Sequence, residues 1–172
     1  MTYNYCPDCG GKCIRYSAKG FQCEICHKRW FDQPAAAADC IVVNDKEEIL
    51  LTIRANEPKK GTLTIPGGFV DNNETAEQTV IREVLEESGA EIGYPTYFKS
   101  KPNTYIYRGH NYCCLTTTFL AKFSKFVKNF DTKETINILW IKPSNLNLQE
   151  IGLDNVRDVL RDYLELISAK RH

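Results

Sequence analysis

The pattern of apolar and polar residues divides the chain into short strands and two helices. Apolar and β-branched residues dominate Asp39 to Val43 and Ile49 to Arg54, and turn residues 44–46 between them predict a β-hairpin. Tyr112 to Phe123 and Ile136 to Ile141 have the same composition and are predicted as two further strands.

Two segments have helical periodicity instead. The first is predicted over 75–89, where Thr75 and Gln78 form a capping box and Gly89 is a stop signal. Its predicted apolar side consists of Ala76, Val80, Ile81, Val84 and Leu85. The second helix is predicted to begin with Asp154 as its cap, and its predicted core residues are Val156, Val159, Leu160, Tyr163, Leu164 and Ile167. Mixed strands and helices predict an α/β fold.

The first 34 residues have a different character. Cys6, Cys9, Cys23 and Cys26 form two Cys-x2-Cys pairs, whose spacing is typical of a tetrahedral Zn²⁺ site. The segments 12–16, 20–22 and 28–31 are predicted as short strands between and after them, which together is the pattern of a zinc ribbon. So small a unit buries little apolar surface, so metal binding is expected to supply its folding free energy.

The ribbon could serve stability, a homodimer contact or substrate shaping, and its aromatic and basic residues also raise the question of nucleic-acid binding. Residues 1–34 contain five Lys or Arg and three Asp or Glu. Four thiolates around one Zn²⁺ carry a net charge of −2, which cancels the excess of cations. The balance therefore disfavours nucleic acid as a partner.

Composition and charge limit the classes of protein to which the chain can belong. The 172 residues include 22 Lys or Arg and 22 Asp or Glu, so no net field draws the chain to nucleic acid or anionic lipid. No apolar run is long enough to cross a membrane, and residues 1–6 show no secretory signal. Eight cysteines without a secretory signal favour reduced thiols and metal ligands, and a cytoplasmic location. Pro34 and the short alanine run 35–38 are predicted as a linker between a ribbon domain at 1–34 and a second domain at 35–172.

The first helix carries three carboxylates within one and a half turns. Glu83, Glu86 and Glu87 are spaced three and four residues apart, a spacing at which like charges repel. A hard divalent cation such as Mg²⁺ or Mn²⁺ reverses that repulsion, and such ions often bridge carboxylates to phosphates. Gly67 and Gly68, just before the helix, let the backbone approach a ligand closely. A solvated acidic helix face is the ordinary alternative.

The same residues resemble the Nudix box, G-x5-E-x7-R-E-U-x-E-E-x-G-U, where U is apolar. The positions are filled here by Gly68, Glu74, Arg82, Glu83, Val84, Glu86, Glu87, Gly89 and Ala90. The flanking hairpin, the strand that ends near Trp140 and the last helix extend the resemblance to about 39–170. It implies an α/β/α sandwich with a mixed sheet, preceded by the zinc ribbon.

The resemblance also implies a function. Nudix hydrolases cleave a nucleoside diphosphate linked to another moiety, with water as the nucleophile and carboxylate-bound metal ions. Carried over by position, Glu83, Glu86 and Glu87 would be the Mg²⁺ ligands, together with the Gly67 carbonyl. Arg82 would position the glutamates and Glu74 would brace the loop and helix.

The general base and the substrate pocket remain open. Glu134, on a later loop, and Glu87 are the competing candidates for the base. Arg54 and Gly68 are candidates for phosphate and substrate contacts. Tyr105 and Tyr107 belong to an aromatic segment whose rings could stack on a nucleobase.

A ribbon ahead of a Nudix domain is similar to the layout of the bacterial NADH pyrophosphatases. Their Ser-Gln-Pro-Trp-Pro-Phe-Pro signature does not occur between Glu91 and Arg108, so NADH, ADP-ribose and related nucleotides all remain expected substrates. The rival hypothesis is a module that binds nucleic acid or protein through the ribbon and keeps only the Nudix scaffold. The complete set of glutamates favours the enzyme.

Overall fold

A computed structural model describes residues 4–170, apart from the side chains of residues 105–107. By its internal contacts the chain divides into two compact units, Met1–Pro34 and Ala35–His172. Among the described residues, no helix combines the length and the apolar character needed to cross a membrane.

The first unit is a three-stranded antiparallel sheet. Its strands are β1 (Cys13–Ser17), β2 (Gly20–Cys23) and β3 (Arg29–Phe31), with β2 in the centre. Cys6, Cys13, Phe21 and Cys23 form its small buried core, against which Trp30 packs. This core is much smaller than that of an independent domain, in agreement with a unit stabilised by metal.

The described part of the second unit, residues 35–170, contains eight strands and two helices. The strands are β4 (Ala35–Val43), β5 (Ile49–Arg54), β6 (Leu63–Thr64), β7 (Gly67–Phe69), β8 (Ala90–Ile92), β9 (Thr96–Tyr107), β10 (His110–Phe126) and β11 (Thr135–Ile141). The helices are α1 (Ala76–Ser88) and α2 (Asp154–Ala169), and short 3-10 turns occupy Pro143–Asn145 and Leu148–Glu150.

The sheet is mixed. Its main order is β11-β5-β4-β10-β8, with β6 paired to β5, β7 to β4 and β9 to β10. β4 and β10 run parallel, and the other pairs are antiparallel.

Alternation along β4 sends side chains to two separate cores. Cys40 and Val42 belong to the core that also contains Val80 and Val84 of α1. Ile41 and Val43 belong to the core on the other face, which contains Val156, Val159 and Leu160 of α2. Since successive side chains of a strand point to opposite faces, one helix covers each face of the sheet. The predicted α/β/α sandwich with a mixed sheet is confirmed.

Three local predictions are wrong. Ala35–Ala38 is not a linker, because it pairs in parallel with Cys114–Thr117 of β10 and so forms the first half of β4. Long-range pairing outweighs the weak strand propensity of alanine.

Leu153, not Asp154, occupies the cap position of α2. Asp154 is the first helical residue and forms an ion pair with Arg157 at 2.7 Å. Ile81 is exposed, since only a narrow face of α1 around Val80 and Val84 contacts the sheet.

The C-terminal end of α1 depends on Gly89. Its φ of 72° is left-handed, and its N–H donates to the carbonyl of Leu85. A Cβ at this position would collide with the carbonyl oxygen of Lys128. Glycine is therefore required by both backbone conformation and space.

We expect Gly89→Ala to lower the free energy of unfolding by about 2 kcal/mol or more, because it combines left-handed strain with a backbone clash. Gly93→Ala is the matched control, since the nearest heavy atom to its added Cβ is 3.8 Å away. The control should change the value by less than about 0.5 kcal/mol. Urea unfolding followed by far-UV circular dichroism measures both, and equal effects would contradict the explanation.

Candidate active site

An acidic cleft of about 320 Å³ opens where β7, α1 and the 131–134 loop meet. Its lining residues are Arg54, Asn56, Gly67, Gly68, Phe69, Asp71, Arg82, Glu83, Glu87 and Glu134. We call it the acidic cleft below.

Three carboxylates converge in this cleft. One oxygen each from Glu83, Glu87 and Glu134 lies within 4.8 Å of the others. Glu83 and Glu87 are buried one turn apart on α1, whereas Glu134 is exposed. Glu86 is not part of this group; its carboxylate is half-exposed and accepts from Arg82 at 3.3 Å. The structure thus brings two of the three predicted α1 ligands together with the predicted loop glutamate.

Backbone hydrogen bonds fix the loop that carries Glu134. The Asp131 N–H donates to the carbonyl of Glu86 at the end of α1, at 2.8 Å. On the other side, the Ala55 N–H donates to the Glu134 carbonyl at 2.9 Å, and the Asn56 side-chain amide donates to the Lys133 carbonyl at 2.6 Å. The loop is therefore tied both to the helix and to the segment after β5, which sets the position of the third carboxylate.

Arg82 organises the carboxylates around it. Its Nε donates to Glu74 at 2.7 Å. Its Nη1 donates to Glu83 at 2.7 Å and to Glu86 at 3.3 Å. Its Nη2 donates to Glu74 at 2.9 Å and to the Phe69 carbonyl at 3.2 Å. These bonds use the five N–H donors of a guanidinium, and a lysine ammonium has only three. Arg82 therefore links α1, β7 and the loop that precedes α1.

Glu74 has a structural place in this network. The Arg82 guanidinium holds the pKa of Glu74 down at about 2, and the Thr79 hydroxyl also donates to it, at 2.9 Å. It therefore stays ionised over the physiological pH range. Glu74 is not one of the cleft-lining residues, so its charge serves to hold Arg82.

The buried glutamates have the opposite tendency. Burial raises the pKa of Glu83, although Arg82 partly opposes the shift. Burial, helped by the charge of Glu83, raises the pKa of Glu87 to about 8, although the Gly67 N–H donates to Glu87 at 3.2 Å. Clustered carboxylates that lack enough positive charge are a donor set suited to a hard divalent cation. The residues present therefore fit Mg²⁺ or Mn²⁺.

The glycine pair leaves room for this cluster. A Cβ on Gly68 would collide with Oε1 of Glu83, and a Cβ on Gly67 would lie 2.6 Å from the carbonyl oxygen of Ala38. Any larger residue at position 68 would displace Glu83. Glycine here is a requirement of close packing between β7, β4 and α1.

The predicted substrate residues are only partly placed. Arg54 ends β5 and lines the acidic cleft, with its Nε donating to the Pro58 carbonyl at 2.9 Å. Gly68 lines the cleft as well. The side chains of Tyr105 and Tyr107 lie outside the described part of the structure, and their stacking on a nucleobase stays a prediction.

The four predicted cysteines of the first unit converge too. One sulfur each from Cys6, Cys9, Cys23 and Cys26 lies within 4.8 Å of the others. Burial alone would raise the pKa of Cys6, but N–H groups of Cys9 and Asp8 lower it to about 6. Cys13 is outside this group. The arrangement fits a tetrahedral metal ion bound by four thiolates.

Sequence reasoning missed two buried polar residues next to the acidic cleft. Asp39 on β4 and Asn155 in the first turn of α2 line a second cleft of about 300 Å³. A signal existed for both. Asp39 falls in the period-two stripe of Ile41 and Val43, and Asn155 lies one helical turn before Val159, so each is a polar residue at an apolar position.

The raised pKa of Glu87 gives a pH dependence of stability for protein dialysed into magnesium-free buffer. Folding raises this pKa from 4.5 to about 8, so the folded state holds the proton more tightly. Its contribution to the free energy of unfolding is therefore full below about pH 4.5 and is lost as pH rises to about 8. Glu87→Gln, which stays neutral, should reduce the decline between pH 5 and 8 by at least about 1 kcal/mol.

Chemical unfolding at several pH values measures this difference. Glu165→Gln, a change at an exposed position on α2, is the control and should give the wild-type slope. Parallel curves for Glu87→Gln and wild type would contradict the desolvation of Glu87.

Comparison with curated proteins finds relatives along almost the whole chain. The chain is 30% identical to an NAD-capped RNA hydrolase NudC of Escherichia coli O157:H7 and 29% identical to the protein of the same description from Shigella dysenteriae. Each match covers 98% of this chain. The chain spans 63% of the length of either relative.

A solved structure shares the fold over most of both chains. It is a NUDIX hydrolase from Nitrosomonas europaea, with a TM-score of 0.74, 26% identity, and coverage of 95% of this chain and 91% of that one. The NUDIX domain family matches residues 33–163, which include the acidic cleft, α1 and the first part of α2. The resemblance first seen in the box is thereby confirmed for most of the second unit: the chain belongs to the NUDIX domain family.

Proposed function

We propose that this protein is a Mg²⁺-dependent pyrophosphatase, which hydrolyses the diphosphate bond of a nucleoside diphosphate linked to a second moiety. The observation that carries the proposal is the convergence of Glu83, Glu87 and Glu134 beside Arg54. A scaffold that only binds other molecules has no need to bury two like charges with a third nearby. The intact cluster therefore supports the hydrolase over the binding module.

The metal would be held by the carboxylates of the acidic cleft. We assign Glu83 and Glu87 as ligands, with the Gly67 carbonyl, and we keep Glu86 as a further ligand on the exposed side of α1. Glu134, within 4.8 Å of Glu83 and Glu87, would lie beside the metal. A bound Mg²⁺ supplies charge neutralisation of the diphosphate and a lowered pKa of coordinated water. Arg82 keeps Glu83 and Glu86 oriented toward this position through its fixed hydrogen bonds.

Two residues would act on the substrate directly. Arg54 lies in the acidic cleft, where its guanidinium would bind a phosphate oxygen. Glu134 is the more exposed of the two candidate bases, so its carboxylate would accept the proton of the attacking water. Glu87 is less suited to that role because its Oε2 accepts from the Gly67 N–H and its burial favours the protonated form.

NADH, ADP-ribose and related nucleotides form the proposed substrate class, and NAD-capped RNA is the second candidate. The curated relatives are described as NAD-capped RNA hydrolases. The first unit also has cations over aromatic rings, with Lys28 at 4.6 Å from the Trp30 ring centroid and Arg29 at 5.0 Å from that of Tyr16. Such pairs are found where single-stranded nucleic acid stacks, and they also stabilise small cores. Small nucleotides stay the first proposal because the ribbon has no net positive charge.

None of the eight cysteines, which all lie among the described residues, forms a disulfide, and this supports the proposal of a reducing, cytoplasmic location.

The hydrolase proposal is tested with a panel of NADH, ADP-ribose, coenzyme A, diadenosine polyphosphates, nucleoside triphosphates and NAD-capped RNA, with and without Mg²⁺. Chromatography should show two phosphate-ended products from at least one diphosphate substrate, only with metal. Glu83→Gln, Glu87→Gln and Glu134→Gln should each lower kcat by at least about 100-fold. Glu165→Gln is the surface control and should keep the wild-type rate. Absence of turnover on the whole panel, or normal rates in the three variants, would refute the proposal.

We further propose that the first unit binds one structural Zn²⁺ through Cys6, Cys9, Cys23 and Cys26. Elemental analysis should find about one zinc per chain. Cys9→Ser should abolish stoichiometric zinc, whereas Cys113→Ser, an exposed cysteine on β10, should not. Equal zinc content in the two variants, or iron in place of zinc, would contradict the assignment.

A further inference from the structure

The second cleft has a largely aliphatic wall and four buried polar residues, and Arg54, Glu57 and Asn103 also line it. The aliphatic residues come from β4, from the segment between β6 and β7, and from the start of α2. These wall residues are Ala37, Ala38, Ile65, Leu153 and Val156. We call it the apolar cleft. Flat apolar rings are the ligands that such walls accommodate best.

The buried polar residues are Asp39, Thr64, Thr116 and Asn155. The Thr64 hydroxyl donates to the Ile65 carbonyl at 3.2 Å. Asp39 is 5% exposed and Asn155 is 7% exposed. Within the part of the chain that the structure describes, Oδ1 of Asp39 and Oδ1 of Asn155 have no hydrogen-bond partner at normal distance and angle. The Thr118 hydroxyl is close to the Asp39 carboxyl and opposes the rise in its pKa that burial causes. Buried polar atoms are nearly always paired, and an exception calls for an explanation. A ligand that donates hydrogen bonds in this cleft provides one.

The fold itself does not require these side chains. Asp39 occupies a strand position equivalent to Ile41 and Val43, which are buried against α2. Asn155 is one turn from Val159 in the same core. Aliphatic residues at both positions would extend that core, so the polar groups are better explained by recognition than by packing.

The two clefts adjoin. Arg54, Gly67, Gly68 and Phe69 line both of them. In the pairing of β4 with β7, Asp39 lies opposite Gly67, whose N–H donates to Glu87 of the acidic cleft. A ligand with its diphosphate in the acidic cleft would therefore place an attached ring system near Asp39.

We propose that Asp39 and Asn155 form a specificity site for the amino or amide NH₂ group of a planar ring in the substrate nucleotide. This proposal rests on the proposed function, because it takes the acidic cleft as the diphosphate site. Two parts of a dinucleotide carry this chemistry: the exocyclic amine of a nucleobase such as adenine, and the carboxamide of nicotinamide. The buried oxygens would accept its N–H groups, and a ring without them would leave the oxygens desolvated and unpaired.

Mononucleotides test the site without catalysis, because they contain no diphosphate bond. Calorimetry of the full chain with Mg²⁺ compares AMP with purine riboside 5′-monophosphate, and nicotinamide mononucleotide with nicotinic acid mononucleotide. The first pair differs only by the NH₂ group, whereas nicotinic acid mononucleotide replaces the carboxamide NH₂ by a carboxylate oxygen and so also adds a negative charge. We expect at least one pair to differ by 10-fold or more in Kd, and the pair that differs identifies the ring. Ribose 5-phosphate is the probe for contacts to the phosphate alone.

Variants connect the selectivity to the two residues. Asp39→Val and Asn155→Leu replace the unpaired oxygens by apolar groups and should reduce the discrimination within that pair to less than about two-fold, with unchanged binding of ribose 5-phosphate. Both should raise Tm, since an unsatisfied buried polar atom is removed. Asn155→Ala also removes the unpaired oxygen but adds no atoms to the cleft. It should lose the discrimination in the same way, which separates loss of the oxygen from steric blocking by the leucine side chain. Asn145→Ala, at an exposed position outside both clefts, should keep the wild-type values.

The outcomes separate the two proposals. Equal Kd values within both pairs for wild type, or wild-type discrimination in the Asp39 and Asn155 variants, would overturn the specificity site even if the enzyme hydrolyses nucleotides. Discrimination that disappears in the variants supports the site. That result stands even if the nucleotide panel shows no turnover, in which case only the hydrolase proposal fails.

Discussion

The arrangement of the second unit depends on holding several carboxylates close together in a partly dry cleft. Glu83 and Glu87 are buried on the same side of α1, and Glu134 approaches from a loop far along the sequence. Like charges at such distances repel, and burial strengthens the repulsion. The surroundings offset it only in part, through Arg82 and the Gly67 N–H. The carboxyl groups that remain are the donors to which we assign the proposed cation.

Much of the surrounding structure follows from this constraint. Arg82 has five N–H donors, and Glu83 and Glu86 accept only two of its hydrogen bonds. Glu74 and the Phe69 carbonyl accept the other three. Gly68 has no side chain because Glu83 occupies the space. The left-handed Gly89 ends α1 two residues after Glu87, and the Asp131 N–H donates to the Glu86 carbonyl there. The ends of the helix and the loop that supplies Glu134 are thus positioned together.

The sequence predicted the local features of this site well, because each is written in a short segment. The capping box of Thr75 and Gln78, the stop at Gly89 and the spacing of Glu83 and Glu87 are properties of neighbouring residues. Contacts between distant segments were less accessible. The pairing of Ala35–Ala38 with β10 could not be read from alanine propensities. The grouping of Glu134 with Glu83 and Glu87, and not Glu86, depends on how the 131–134 loop folds back on α1. Asp39 and Asn155 were visible as polar residues in apolar patterns, but only the tertiary structure brings them to one cleft.

The short strand β7 lies between the acidic cleft and the apolar cleft, and its residues line both. Its backbone carries contacts to the carboxylates on one side, while residues of β4 and α2 shape the other side. Replacements at Asp39 or Asn155 leave every residue of the box unchanged. Substitutions on that one wall would therefore change the shape and polarity of the second cleft while the carboxylate cluster keeps its residues.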